Sequence, residues 1–255
     1  MTQIVVAAKM VPDLVEEIEI NETGTGLDMT WLRLIINEFD DHAIEQAILL
    51  KEKAGGEVSI VAPDEEGMEE VLYTAAAKGA DKLIKLQGEF EDGVNNHALA
   101  RAYVPVIKEL NPDLILTGVQ ANNDLDGSLG PILAELLGFN YVGYISGVSV
   151  QGTKALVKKE YPGGLLAEME VELPAVLGIQ ASEQPPRYVA VSKVRQVMNT
   201  TDIVEMDIDQ LDSGGALIVN RMYLPEAAER AEMLEGDDKE IASKLVQIFK
   251  EASII

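Results

Sequence analysis

The chain has 255 residues, 47% of them apolar, which suits one α/β domain with an appendage. Twenty Lys and Arg against 44 Asp and Glu give a net charge of −24, which argues against nucleic-acid backbone binding and against docking on an anionic membrane. The absence of cysteine excludes disulfides, thiolate catalysis, thiolate zinc sites and cysteine-ligated iron–sulfur clusters, and His42 and His97 alone are too few for a histidine-rich metal site.

Residues 4–8 (IVVAA) form a short continuous apolar run, the pattern of a strand covered on both faces, and 57–62, 83–86 and 113–118 repeat it. Helices intervene. The stretch 40–53 puts Ile44, Ala47, Ile48 and Lys51 at helical spacing before Gly55-Gly56, and 65–78 stops at Gly79. Leu99, Ala102, Tyr103, Val106, Ile107 and Leu110 stripe a third helix that Pro112 ends, and 130–137 give a fourth before Gly138. Strands alternating with helices predict β-α-β units and a mostly parallel sheet with helices on both faces.

From Tyr141 the rhythm turns to β, with strands over 148–150, 155–160 and 174–179 and a turn at Pro162-Gly163-Gly164. Residues 199–215 read as a polar extended connector, and 238–252 as an amphipathic helix with Ile241, Leu245, Ile248 and Phe249 on one face. The expected division is an α/β domain over 1–198 and a C-terminal arm over 199–255. The arm's helix has an apolar stripe to bury, against its own domain or another chain. No apolar run approaches the roughly 18–20 residues of a membrane span. The first residues lack a signal peptide's basic region, so a cytoplasmic protein without membrane insertion is expected.

The most informative stretch for chemistry is 114–137: a strand (LILTG), a loop (VQANNDLDGS) and a helix (LGPILAELLG). That order sets helix N-terminal amides beside the carboxyl end of a parallel sheet, where a nucleotide phosphate can rest on backbone N–H donors. It is neither a Walker loop nor a dinucleotide GxGxxG. On spacing alone Asn122, Asn123, Asp124 and Asp126 read first as turn-formers and caps. His42 follows Asp40-Asp41 and reads as an exposed first-turn residue, and no Gly-x-Ser-x-Gly elbow presents a nucleophile. No catalytic constellation and no metal site is expected.

Separated segments, in order, resemble the electron-transfer flavoprotein β-subunit family. Val6-Ala7-Ala8-Lys9-Met10-Val11-Pro12-Asp13 is similar to its first strand and Lys-x-Val-Pro-Asp ending. Asn37-Glu38-Phe39-Asp40 is similar to its Asn-x-Phe-Asp helix start, and Gly79-Ala80-Asp81 to its Gly-Ala-Asp. Gly118-Val119-Gln120-Ala121 through Gly127 and Gly130-Pro131 has the length of its nucleotide loop. Leu173-Pro174-Ala175-Val176-Leu177 and Pro186-Arg187-Tyr188 complete the set.

The resemblance implies a doubly wound, adenine-nucleotide-binding fold and an electron carrier rather than an enzyme. It implies a larger α subunit holding most of an FAD, a redox dehydrogenase as second partner, and a structural AMP in this chain. A second FAD takes the AMP's place in electron-bifurcating members. The implied nucleotide contacts are Ala7, Asn37, Glu38, Phe39, Asp40, Val61 or Ala62, and the loop Gly118, Val119, Gln120, Ala121, Asn122, Asn123, Asp124, Leu125, Asp126, Gly127, Ser128 and Leu129. Arg187 is implied to face the flavin. The partner-recognition loop is implied over 187–196, with Tyr188, Val189, Ala190 and Ser192 around an anchoring Val191. The loop departs from the family's usual residues at Leu125, Asp126 and Ser128. A stand-alone adenine-nucleotide-binding stress-type protein shares the α/β layout, but the Pro-Arg-Tyr segment and the long arm speak against it.

Overall fold

A computed structural model describes residues 2–255 apart from 91–93, 126–127, 209–210, 226–230 and 232. The elements in chain order are β1 (Gln3–Ala7), β2 (Met10–Pro12), β3 (Leu34–Ile36), α1 (Glu38–Ala54), β4 (Glu57–Pro63), α2 (Met68–Lys78), β5 (Lys82–Gln87), α3 (Asn96–Leu110) and β6 (Leu114–Gly118). They continue with α4 (Leu129–Leu137), β7 (Asn140–Gln151), β8 (Lys154–Tyr161), β9 (Leu165–Glu172), β10 (Ala175–Ile179), α5 (Val191–Met198), β11 (Ile203–Asp207) and α6 (Asp238–Glu251).

Nine strands form one sheet in the order β11-β5-β4-β1-β6-β10-β7-β8-β9. From β11 to β7 every pairing is parallel, and β8 and β9 add antiparallel strands at one side. The mostly parallel α/β expectation holds. Strand periodicity explains the layers, because successive side chains leave a strand on opposite faces. Ile4, Val6 and Ala8 join Ile44, Ile48 and Leu72 of α1 and α2 in one core. Val5 and Ala7 join Tyr103, Ile107 and Leu133 of α3 and α4 in the other. Continuous apolar runs in β1, β4 and β6 are therefore the signature of helices on both faces.

The chain winds outward from β1 through β4 to β5, then returns over the sheet to place β6 on the other side of β1. The ends of β1 and β6 are thus a topological switch point, where helices depart in opposite directions and leave a crevice.

Several segments differ from the sequence reading. The connector expected over 199–215 contains β11, which pairs in parallel with β5 from Ile203↔Leu83 to Asp207↔Gln87. Its polar outer residues disguise it, because an edge strand need bury only part of itself. The loop expected over 187–196 coils into α5 from Val191. His42 is half-buried rather than exposed, since its Nδ1 lies 2.8 Å from Ser182 Oγ and accepts the Ser182 amide at 3.2 Å.

Two compact units are distinguished, Met1–Asn220 and Arg221–Ile255. In the second, Asp237 caps α6 by accepting the amides of Lys239 and Glu240, both at 2.9 Å. The helix buries none of its residues, and Leu245, Val246, Ile248 and Phe249 are exposed.

Candidate functional site

The start of α1 closes over the switch point. Asp40 is buried there, with Oδ2 accepting the Lys9 amide at 3.0 Å and Oδ1 accepting the Gly118 amide at 2.7 Å. One carboxylate therefore joins the chain just after β1 to the end of β6. Gly118 is dictated by that approach: a Cβ on it would stand 2.5 Å from Asp40 Oδ1 and 2.7 Å from Phe39 Cβ. Asn37, the residue before α1, turns its side-chain amide to the Gln120 carbonyl at 2.9 Å. Burial pushes the Asp40 carboxyl up to about 6, outweighing the Lys9 and Gly118 amides that hold it down.

Two more side chains grip the same segment. Tyr103 donates its hydroxyl to the Ala8 carbonyl at 2.6 Å, and burial drives that phenol well up, keeping it a neutral donor. Glu65 accepts the Met10 amide at 3.0 Å, and burial pushes its carboxyl up to about 7. Three successive residues, Ala8, Lys9 and Met10, are each held through the backbone by a side chain, those of Tyr103 and Asp40 buried and that of Glu65 half-buried.

The Lys9 side chain organises the loop. Its Nζ lies 2.7 Å from Asp124 Oδ1 and 3.1 Å from Asn96 Oδ1. Asn96 donates to the same Asp124 oxygen at 2.6 Å, while Asp124 Oδ2 accepts the Ala121 amide at 2.7 Å. Asn122 reaches the Pro12 carbonyl at 3.1 Å, and the Val119 amide bonds the Ile179 carbonyl at 3.0 Å. Asp124 is thus an internal brace whose charge is answered by Lys9. Gln120, Asn123 and Leu125 are exposed along the loop, and Glu38 and Phe39 line the start of α1. Ala7, Val61 and Ala62 are fully buried, so a ligand at the strand ends meets their backbone. Asp126 and Gly127 lie outside the described residues.

Ser128 precedes α4 without capping it, and burial raises the Tyr141 phenol while the nearby Ser128 hydroxyl works against that rise. Leu129 begins the helix, whose first-turn amides have no partner within the helix itself. Nearby, the buried Thr117 hydroxyl finds no hydrogen-bond partner among the described residues. It lies 2.8 Å from where a Cβ on Gly130, in the first turn of α4, would stand. An anion at this helix start would meet amide and hydroxyl donors in a region whose nearby lysine is already neutralised.

The segment expected to meet partners runs along α1 and α2. Arg187 lies across α1, with Nε 2.8 Å from Glu45 Oε1 and Nη1 and Nη2 at 2.6 and 3.0 Å from the two oxygens of Glu52. Its amide also reaches Glu45 Oε2 at 3.0 Å. The guanidinium expected to face a flavin is therefore engaged by α1, and it holds the Glu52 carboxyl below its usual range. Tyr188 is 88% exposed, Val189 half-buried, and Ala190 and Ser192 exposed around Val191. Val191, Val194 and Met198 line a groove of about 550 Å³ with Glu65, Glu69 and Tyr73. Sequence reasoning missed Glu65, Tyr103 and Asn96 as site residues. The only signal is that each stands near a helix start or on a helix stripe beside strand ends, which many structural residues share.

A doubly wound α/β domain with helix starts and a braced loop converging on its switch point belongs to the class that takes small ligands at strand carboxyl ends. The family described as electron transfer flavoprotein domain matches residues 31–211. Similar proteins include the electron transfer flavoprotein subunit beta of Methylophilus methylotrophus, 31% identical over 98% of each chain. That of Bacillus subtilis (strain 168) is 30% identical over 94% of this chain and 95% of its own. The acryloyl-CoA reductase electron transfer subunit gamma of Anaerotignum propionicum is 28% identical over 99% of this chain and all of its own. The chain belongs to the electron-transfer flavoprotein family, and its resemblance to β subunits runs nearly end to end. Among the described residues no helix is long and apolar enough to cross a membrane.

Proposed function

We propose that this chain is the smaller, nucleotide-holding subunit of a heterodimeric electron-transfer flavoprotein. It passes electrons from a dehydrogenase by way of an FAD held mainly by a larger α subunit, and it keeps a structural AMP in the switch-point crevice. It is a carrier subunit rather than an enzyme. The flavin, when bound, supplies the electron exchange, and the protein positions and shields it.

The observation that carries the reading is the braced crevice. Asp40 ties the ends of β1 and β6, and Lys9 with Asp124 fixes the loop between β6 and α4. The Ser128 hydroxyl and the α4 amides suit a phosphate, and the unpartnered Thr117 hydroxyl lies beside that helix start. Backbone groups near Ala7 and Ala62 suit an adenine edge. In the segment between β2 and β3, Leu14, Val15 and Trp31 are 59%, 93% and 91% exposed, apolar side chains that fit cover by a larger subunit. Exposed Val191 at the start of α5 fits docking of a dehydrogenase, and the second unit with its unburied α6 fits an arm laid on the partner.

Affinity purification of this chain from its own host tests the pair. A yellow complex with one equivalent of a second, larger chain is expected, and a colourless monomer or homodimer would overturn the reading.

A further inference from the structure

The outer edge of β9 is guarded by charge alone. It runs for eight residues at the end of the nine-stranded sheet, in unbroken antiparallel register with β8 from Tyr161↔Leu165 to Lys154↔Glu172. It has no bulge, no proline and no lysine, so the charge of its three glutamates is its one guard against pairing. Alternation sends Leu165, Ala167, Met169 and Val171 to one face, and Leu166, Glu168, Glu170 and Glu172 to the other. Val171 reaches the core, but Leu165 and Leu166 remain 67% and 64% exposed. Beside them Lys159 stands over two exposed rings, 5.3 Å from Tyr144 and 5.4 Å from Tyr161.

Charge decides what can pair there. From the β8 side Lys154 reaches Glu170 at 2.8 Å and Glu172 at 3.3 Å and Lys158 is registered opposite Glu168, while among the described residues no strand pairs with the outer side of β9. Because pairing preserves the face, a second copy of β9 would set these glutamates against their own kind. Like charges directly opposite one another destabilise a sheet. A strand with lysine or arginine at alternate positions and apolar residues between them would complement both faces.

We propose that β9 is a strand-addition edge that receives an alternating basic and apolar strand from the second subunit, extending the sheet across the subunit boundary. This rests on the heterodimer reading above.

Hydrogen exchange of the 165–172 amides, in the chain alone and in the purified pair, tests it. The amides pointing away from β8 should gain at least tenfold protection in the pair. Glu168→Gln should weaken association with an unchanged urea midpoint for the free chain, and Glu168→Lys should weaken it about tenfold, beyond the small midpoint loss expected from setting it opposite Lys158. An intact pair with unprotected β9 amides overturns the edge assignment and leaves the heterodimer standing. Protection that grows with concentration of the chain alone overturns the choice of occupant. If no pair forms with any second chain, the heterodimer reading fails and takes this inference with it.

Discussion

Replacing Asp40 with asparagine removes a charge buried at the switch point, and pH makes its contribution measurable. In the folded chain the carboxyl is pushed from 3.8 up to about 6, with burial the largest cause. The unfolded chain leaves it near its ordinary value, so between the two the folded state binds more protons. The stability associated with protonated Asp40 is thus fully present below about pH 3.8 and lost as pH rises through about 6. The whole span corresponds to roughly 3 kcal/mol, of which roughly 2 kcal/mol falls between pH 4.5 and 8. Asparagine cannot titrate. It also offers one oxygen where two amides are received, a cost of about 1–3 kcal/mol for the orphaned N–H. Glu65 titrates in both proteins and cancels from the comparison. In urea unfolding across that pH range, wild-type stability minus variant stability should fall by roughly 2 kcal/mol as pH rises. A difference that stays flat, or grows with pH, would refute the account of Asp40 as a desolvated carboxylate.

Arg187→Ala strands Glu45, which is 1% exposed, and should cost about 3–5 kcal/mol in thermal or chemical unfolding. Adding Glu45→Gln should recover most of it, and a single-variant loss under about 1 kcal/mol would contradict the pairing. Gly118→Ala forces a methyl against Asp40 and Phe39 and should cost about 1–3 kcal/mol, with less nucleotide retained per chain. Val191→Ala should slow reduction by the dehydrogenase at constant flavin content in stopped-flow assays, and an unchanged rate removes α5 as the docking element. Truncation before Asp237 should weaken subunit association in sedimentation, whereas full association would show that α6 serves its own chain.

The parallel core was legible because β1, β4 and β6 are covered on both sides and so read as unbroken apolar runs. The helices between them carry ordinary stripes and stops. The loop after β6 was legible as a strand–loop–helix at the carboxyl edge of the sheet, and the order of motifs supplied the family. What was hidden is long-range. Nothing local in Asp40 says that its two oxygens meet Lys9 and Gly118, the latter 78 positions away. Nor does Lys9 announce its partner Asp124, 115 positions on. β11 escaped because none of its five residues is fully buried, and α5 because it is only eight residues long and its stripe of Val191, Val194 and Met198 begins in a stretch that the resemblance assigned to a loop. β9 does carry the alternation of a strand, but glutamates fill one face and exposed leucines the tip.

The central claim is that this chain holds an adenine nucleotide beside a partner's flavin. Mass spectrometry and absorbance of the small molecules released on denaturing the purified pair test it most directly. One FAD and one AMP per pair are the predicted result, and two FAD would place the pair among electron-bifurcating members. A pair that releases a single FAD and no adenine nucleotide would contradict the account of the crevice.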